Sequence, residues 1–472
     1  MDLFNHPHIF KDRQKDSFEV INPANGEILA YIKNTHKQDL QNLIQKAKIA
    51  QKQWADMLAE ERCDRLYTFY SLILQSKDFL AEIMTKEQGK PLAQAKAEIT
   101  YAASFVKWFA AEARKVDGDI LSPKIKGQKL LILKQPIGVC AAITPWNFPS
   151  SMITRKIAPA LASGCAIIVK PTSKTPLSAY ALAILAKEAG ILEDCFIVVN
   201  GDSTEISDIL CQSNDIRKLS FTGSTEVGKL LYQKCASSIK KLSLELGGNA
   251  PFIVFNDANL EDAINGIMDS KFRNSGQTCV CANRIYIQSG IYDKICQGLI
   301  DKIPTLKVGD GLEDGVNQGP LIDKKALLKV KEHINDALQK GAKLLVGGSN
   351  HHLGGNFFQP TLLKDVTQQM KVAKEETFGP LAPIFKFESE EEVIFNANDT
   401  EFGLAAYFFT QDYKRQWRVA ESLEYGMVGI NTGLISNEIA PFGGIKQSGL
   451  GREGSKYGIE EYLEIKYLCL NL

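Results

Sequence analysis

The 472-residue chain has no long apolar run, so nothing in it reads as a transmembrane helix. It has no excess of charge. Lys+Arg and Asp+Glu are 55 each, a balance that gives no support for a nucleic-acid or membrane-surface partner. Paired Cys-x-x-Cys motifs are missing and the 6 histidines have no partners at ligand spacing, so no metal site is expected. The 10 cysteines are scattered, with only Cys279 and Cys281 close together, and read as reduced thiols. The opening residues, Met1-Asp2-Leu3-Phe4-Asn5-His6-Pro7-His8, lack both a hydrophobic signal core and an Arg-rich presequence, and the expected location is the cytoplasm. There is no internal repeat and no low-complexity segment, and the turn Phe221-Thr222-Gly223-Ser224-Thr225-Glu226-Val227-Gly228 is not the six-residue glycine fingerprint that most dinucleotide folds carry.

What is present is ordinary globular material: 44% hydrophobic and 23% charged residues, in a chain long enough for two or three domains. Residues 37–116 carry apolar side chains at helical spacing. Asp117-Gly118-Asp119 is a turn, and Lys129-Leu130-Leu131-Ile132-Leu133-Lys134 is a charge-bounded β run. From 137 to 221 the pattern alternates. Strands fall at 137–143, 165–169, 195–199 and 218–221, with helices over 150–163 and 176–189 that end at Gly164 and Gly190. This alternation implies a parallel sheet with helices on both faces, with ligands outside the carboxyl ends of the strands. The turns 144–149, 170–175 and 222–228 fall there. Past Ala250 the alternation resumes as a second α/β unit, with strands near 251–255 and 285–287 and a helix over 325–340. The tail, 462–468, alternates like an edge strand and needs a partner; residues 130–134 are the candidate, in this subunit or a neighbour.

Three strings carry chemistry. Cys279 follows a Gly276-Gln277-Thr278 turn and lies a few residues after Arg273. A nearby cation or a ring of N–H donors favours the reactive thiolate, although a single cysteine is more often a small buried hydrophobe. Glu245 sits between two leucines at the edge of Gly247-Gly248, and Asn147 lies in the Pro-bracketed turn Thr144-Pro145-Trp146-Asn147-Phe148-Pro149. Nucleophile, base and amide donor are the parts needed for acyl chemistry on a carbonyl carbon. Phe221-Thr222-Gly223-Ser224-Thr225 runs from a strand into a helix. It is either an anion site at the helix N-terminus or a plain turn capped by Ser224 or Thr225. Lys170-Pro171-Thr172-Ser173-Lys174 could hold a ribose or phosphate, or be a solvated basic turn.

Taken together these strings resemble the aldehyde dehydrogenase superfamily. The likeness runs from about residue 18 to 467 and rests on ordered motifs that also include Glu375-Glu376-Thr377-Phe378-Gly379-Pro380 and Pro441-Phe442-Gly443-Gly444. The resemblance implies an α/β fold of two doubly wound parallel-sheet domains plus a small β bridging and oligomerisation arm. In this plan 1–116 and 135–246 form the NAD(P)-binding domain, 247–446 the catalytic domain, and 117–134 with 447–472 the arm. It also implies Cys279 as nucleophile, Glu245 as the base that activates water, and Asn147 as the amide that shares an oxyanion hole with the Cys279 backbone N–H. Cofactor contacts are implied for Trp146, Lys170, Ser173, Gly223, Ser224, Glu376 and Phe378. Coenzyme-A-acylating relatives usually lack the carboxylate at Glu245, so its presence favours a free acid product and argues against that class. A non-catalytic scaffold would be expected to have lost Cys279, Glu245 or Asn147, and none is lost.

The strings around Arg155, Arg273 and Cys279 look like the succinate-semialdehyde dehydrogenase branch. Arg155, Arg273 and Ser436 are suited to a carboxylate, since arginine binds one in a fork geometry. The expected substrate is a short aldehyde with a distal carboxylate, succinate semialdehyde first and glutarate semialdehyde as near competitor. NAD-preferring relatives usually carry Glu where this chain has neutral Ser173, flanked by Lys170 and Lys174, so NADP is the expected cofactor, with NAD possible. Cys281 is either a packing residue or the partner of Cys279 in a reversible disulfide. The arm's edge strands suggest a homodimer or homotetramer.

Overall fold

The computed structural model describes residues 3–471. The expected α/β architecture is what these residues adopt. The strand run after residue 137 becomes a six-stranded sheet in the order Gly449–Leu450, Lys241–Glu245, Ile216–Thr222, Val139–Thr144, Ala166–Pro171, Phe196–Val198. All its pairings are parallel except that of Gly449–Leu450. The chain direction switches sides between Val139–Thr144 and Ile216–Thr222, the place in such a sheet where a crevice opens. Four helices, Lys37–Ala55, Ala59–Gln75, Lys77–Gln88 and Leu92–Glu112, precede this sheet. Helix Ser151–Ser163 is buried along its whole length and ends where Gly164 turns left-handed (φ 92), its N–H returning to Ala160 and Leu161 carbonyls.

The second sheet has seven strands in the order Lys343–Val346, Thr361–Val366, Leu381–Phe387, Ala282–Gln288, Ala250–Val254, Ala405–Phe409, Met427–Ile430. Both of its faces are covered, which is why its strands are nearly continuous apolar runs. Period-two alternation sends Ile253, Tyr286, Phe385 and Phe408 into one core and Phe252, Ile285, Ile384 and Tyr407 into the other.

The tail strand Leu463–Asn471 pairs antiparallel with Gln128–Pro136 of the same chain, in register from Leu463 opposite Pro136 to Asn471 opposite Gln128. Asp119–Leu121 completes this three-stranded arm. The rest of the segment 447–472 sits elsewhere: Gly449–Leu450 joins the first sheet and helix Ser455–Glu460 packs on its helices. Residues 1–2 and 472, the ends of the first and last expected segments, lie outside the described residues. Strands within 9–33 form an antiparallel sheet that the strand–helix pattern did not announce. Among the described residues, no helix is long and apolar enough to cross a membrane.

One buried side chain ties the second sheet to the loop after Glu245. Arg284 donates to the Asn249, Asn396 and Ala397 carbonyls at 3.0, 2.9 and 2.8 Å and to the Tyr425 hydroxyl at 2.8 Å. Removing it would orphan buried acceptors at about 1–3 kcal/mol each. Arg284→Met is therefore expected to lower unfolding stability by about 3 kcal/mol or more. A urea midpoint unchanged from the parent would refute this.

Candidate active site

Loops at the carboxyl ends of the first sheet's strands meet loops at the amino ends of the second sheet's strands around Cys279. The approach to that residue is sharply bent: Asn274 (φ 51), Ser275 (φ 54) and Gly276 (φ 73) are all left-handed. Two non-glycine residues in this region cost about 1–3 kcal/mol each, so the surroundings must hold them. They do. Asn274 N–H donates to Gln94 Oε1 at 2.8 Å, Asn274 Nδ2 donates to the Asn147 carbonyl at 3.0 Å, and Ser275 Oγ donates to the Gly319 carbonyl at 2.9 Å. The Gly247-Gly248 turn passes directly against Cys279, where a Cβ on Gly248 would lie 2.7 Å from the Cys279 carbonyl oxygen.

A cavity of about 170 Å³ opens at the Cys279 side chain, and Arg155, Arg273 and Ser436 all line it, with Thr278, Phe148, Met152 and Phe442 supplying apolar and hydroxyl wall. Arg155 is buried. Its Nη2 donates to the Tyr101 hydroxyl at 3.0 Å, its Nε lies 3.5 Å from Glu453 Oε2, and its guanidinium lies 4.3 Å from the Phe442 ring centre. Burial alone would lower its pKa, but Tyr101 and Glu453 hold it raised, so Arg155 stays charged. The Arg273 guanidinium lies 5.3 Å from the Phe148 ring centre.

Asn147 is buried, and its Nδ2 donates to the Gln277 carbonyl at 3.2 Å, tying it to the turn before Cys279. Glu245 is buried with neither carboxylate oxygen hydrogen-bonded. Burial first, and the Glu453 charge second, push its pKa well above the ordinary carboxylate range, against the pull of Lys156 and Arg155. Burial pushes the Cys279 thiol up to about 12, opposed by Arg155 and assisted by Glu376 and Glu245. Cys281 lies behind this wall. It is wholly buried, its sulfur is 3.2 Å from Lys271 Nζ, and it is a free thiol. A disulfide with Cys279 would require that sulfur to leave Lys271.

On the other side of Cys279, Trp146 and Phe378 meet edge to face at 5.6 Å. Glu376 is half-buried, accepts the Gly248 N–H at 3.3 Å, and is pushed up to about 7 by desolvation. Ser224 caps helix Thr225–Cys235, its Oγ accepting the Val227 N–H at 3.4 Å. A Cβ on Gly223 would lie 2.4 Å from the Phe221 ring, which would have to shift to admit it. Lys170 is buried and lowered to about 8 by burial, opposed by Asp202. Ser173 is exposed and lines a larger cleft with Lys174, but Lys174 is ion-paired to Asp323 rather than free. The residues present fit a dinucleotide. The hydroxyls of Thr144 and Thr222, at the carboxyl ends of the two switch-point strands, are buried without partners.

Lys90, Gln94, Glu98 and Tyr101 also line the cavity, and Glu453 and Lys156 stand behind it. Reading the sequence missed all six. Lys156 was the detectable one, as a second cation beside Arg155 in an apolar helix; Gln94, Glu98 and Tyr101 come from a helix whose facing is set by tertiary packing, and Lys90 and Glu453 from connecting segments.

The aldehyde dehydrogenase family model matches residues 10–468. The chain belongs to the aldehyde dehydrogenase family. It is 57% identical over 457 residues to the NADP⁺ succinate-semialdehyde dehydrogenase of Escherichia coli K12, covering 97% of this chain and 95% of that relative. It is also 57% identical over 454 residues to a glutarate-semialdehyde dehydrogenase of Pseudomonas aeruginosa, covering 96% and 94%. The crystal structure of succinate-semialdehyde dehydrogenase from Burkholderia pseudomallei superposes with a TM-score of 0.97 at 53% identity, covering 99% of both chains.

For an aldehyde dehydrogenase with a thiol raised to about 12, the free enzyme carries little thiolate at neutral pH. Alkylation of Cys279 by iodoacetamide, followed by peptide mapping, is expected to climb about tenfold per pH unit up to about pH 10. A plateau near neutrality would contradict the effect of burial.

Proposed function

We propose that this aldehyde dehydrogenase oxidises succinate semialdehyde to succinate with NADP as preferred cofactor, glutarate semialdehyde being the close alternative. The observation that carries the reading is the cavity in which two guanidinium groups, Arg155 and Arg273, and the Ser436 hydroxyl stand with Cys279. A short aldehyde with its carboxylate on those groups would present its carbonyl to the sulfur. The similarity to succinate- and glutarate-semialdehyde dehydrogenases supports the same substrate class.

In this reading the Cys279 sulfur attacks the aldehyde carbon, its proton passing to solvent water as the C–S bond forms and the carbonyl π electrons moving to the oxygen. The Asn147 amide and the Cys279 N–H donate to the oxyanion; one such donor is worth about 3–4 kcal/mol. NADP, when bound, supplies the hydride acceptor that turns the thiohemiacetal into a thioester. Trp146, Glu376 and Phe378 would hold its nicotinamide end, and Lys170, Ser173, Gly223 and Ser224 the remainder. Glu245 then takes a proton from the water that hydrolyses the thioester, a role suited to a buried carboxylate with a raised pKa. Covalent catalysis thereby separates oxidation from hydrolysis.

We also infer a cytoplasmic homo-oligomer of two or four subunits, built from an NAD(P)-binding domain, a catalytic domain and a bridging arm. Free thiols throughout suit a reducing compartment. Ile120, Ile465 and Tyr467 on the arm are exposed in the single chain, a surface suited to a second subunit.

A steady-state assay of succinate and glutarate semialdehydes against uncharged butanal tests the substrate reading. Arg273→Ala is expected to lower kcat/KM for the semialdehydes by about 10- to 100-fold, the loss of a charged hydrogen bond, and to spare butanal. Equal efficiency of the parent enzyme with butanal would refute the carboxylate clamp. For the cofactor, Ser173→Glu is expected to move preference from NADP toward NAD, because a carboxylate there would repel a 2′-phosphate. A parent enzyme at least as efficient with NAD would overturn the NADP preference.

A further inference from the structure

Two charged residues in the cavity wall take no part in the chemistry described so far. Lys90 and Glu98 are an ion pair whose side chains are only 1% and 2% exposed. A pair buried this deeply is weak evidence for stability, since apolar residues of similar size would serve as well. Its contacts instead converge on one segment, the turn that carries Asn147. Lys90 Nζ donates to Glu98 and, at 2.7 Å, to the Asn147 carbonyl, and lies 4.0 Å from the Phe148 ring centre. Glu98 Oε1 accepts the Ser150 and Ser151 N–H groups at 3.0 and 3.1 Å. The pair therefore grips both ends of the turn 147–151.

Asn147 has the matching vacancy in its hydrogen bonding. Its Nδ2 spends one N–H on the Gln277 carbonyl at 3.2 Å, and its Oδ1 has no partner. The second N–H is aimed by the backbone together with that single Nδ2 bond, because no further bond at Oδ1 holds the amide. The backbone carbonyl of the same residue is held by Lys90 Nζ and by Asn274 Nδ2 at 3.0 Å.

We propose that the Lys90–Glu98 pair is a positioning device for Asn147, fixing the turn so that its free amide N–H points at the oxyanion, and that Lys90 is not a ligand of the substrate carboxylate. Two of the three Lys90 ammonium protons are committed, to Glu98 and to Asn147, and the Phe148 face covers the group further. This rests on the reading of Asn147 as oxyanion donor. A positioning role acts on every aldehyde alike, whereas a carboxylate ligand would act on semialdehydes alone.

The test is Lys90→Met, with kcat and KM measured for succinate semialdehyde and for butanal, alongside iodoacetamide alkylation of Cys279 and an Asn147→Ala control. The expected result is a kcat loss of about 10- to 100-fold, equal for both aldehydes, since a misplacement near 1 Å costs that much. KM for the semialdehyde should stay within about twofold, and the alkylation rate should hold, showing an intact site. A rise in KM confined to the semialdehyde would make Lys90 a substrate ligand and overturn the proposal, as would an unchanged kcat. If Lys90→Met does not fold because Glu98 is left uncompensated, Lys90→Met with Glu98→Gln removes both charges and is read in the same way. Should Asn147→Ala itself keep full kcat, the oxyanion reading falls and the proposal with it. If Asn147→Ala loses rate and the Lys90 variants do not, the positioning proposal alone falls.

Discussion

Charge held out of water is the constraint on which the rest of this structure depends. Around Cys279 the protein buries Arg155, Lys156, Lys90, Glu98, Glu245 and Glu453 within a few side chains of one another. Each must be paired, hydrogen-bonded or displaced in its titration. The cations are all partnered: Arg155 by Tyr101 and Glu453, Lys156 by Glu453 and Ser220, Lys90 by Glu98. Glu245 is not, and burial leaves it with a raised pKa, the property a proton acceptor near neutrality needs. The same dryness keeps the Cys279 thiol protonated in the free protein.

The fold makes such burial affordable by bringing rigid elements to one point. Helix Ser151–Ser163, buried on every side, carries Arg155 and Lys156 together. Leu92–Glu112 presents Glu98 and Tyr101 to the same cavity, and the hairpin near 442–453 presents Phe442 and Glu453. The left-handed residues before Cys279 cost free energy locally. Bonds to Gln94, Asn147 and Gly319, from three other parts of the chain, offset that cost. The site is thus strained and polar where the surrounding cores are apolar and relaxed.

Much of this was legible because the relevant signals are local. The alternation of strand and helix after residue 137, the glycine stops at Gly164 and Gly190, and the edge-like tail are properties of short windows, and the observed elements begin and end within a few residues of them. What local windows did not carry was pairing. Nothing in the tail says whether its partner belongs to the same chain, and nothing in Lys174 says that Asp323 will meet it. Glu98 and Tyr101 look like ordinary helix residues, because the face of a helix that turns inward is decided by what packs on it, and Lys90 looks like an ordinary cation of the Gly89-Lys90-Pro91 connection.

By itself the sequence determined the α/β class, the order of the elements and the types of reactive group, since these follow from periodicity, turn chemistry and side-chain identity along a few neighbouring residues. Only the tertiary structure decided which charges share a cavity, which are neutralised there and which hydrogen bonds are left open. Those depend on distance and burial between residues far apart in the chain, and the energies of buried charges change far more with such distances than with residue type.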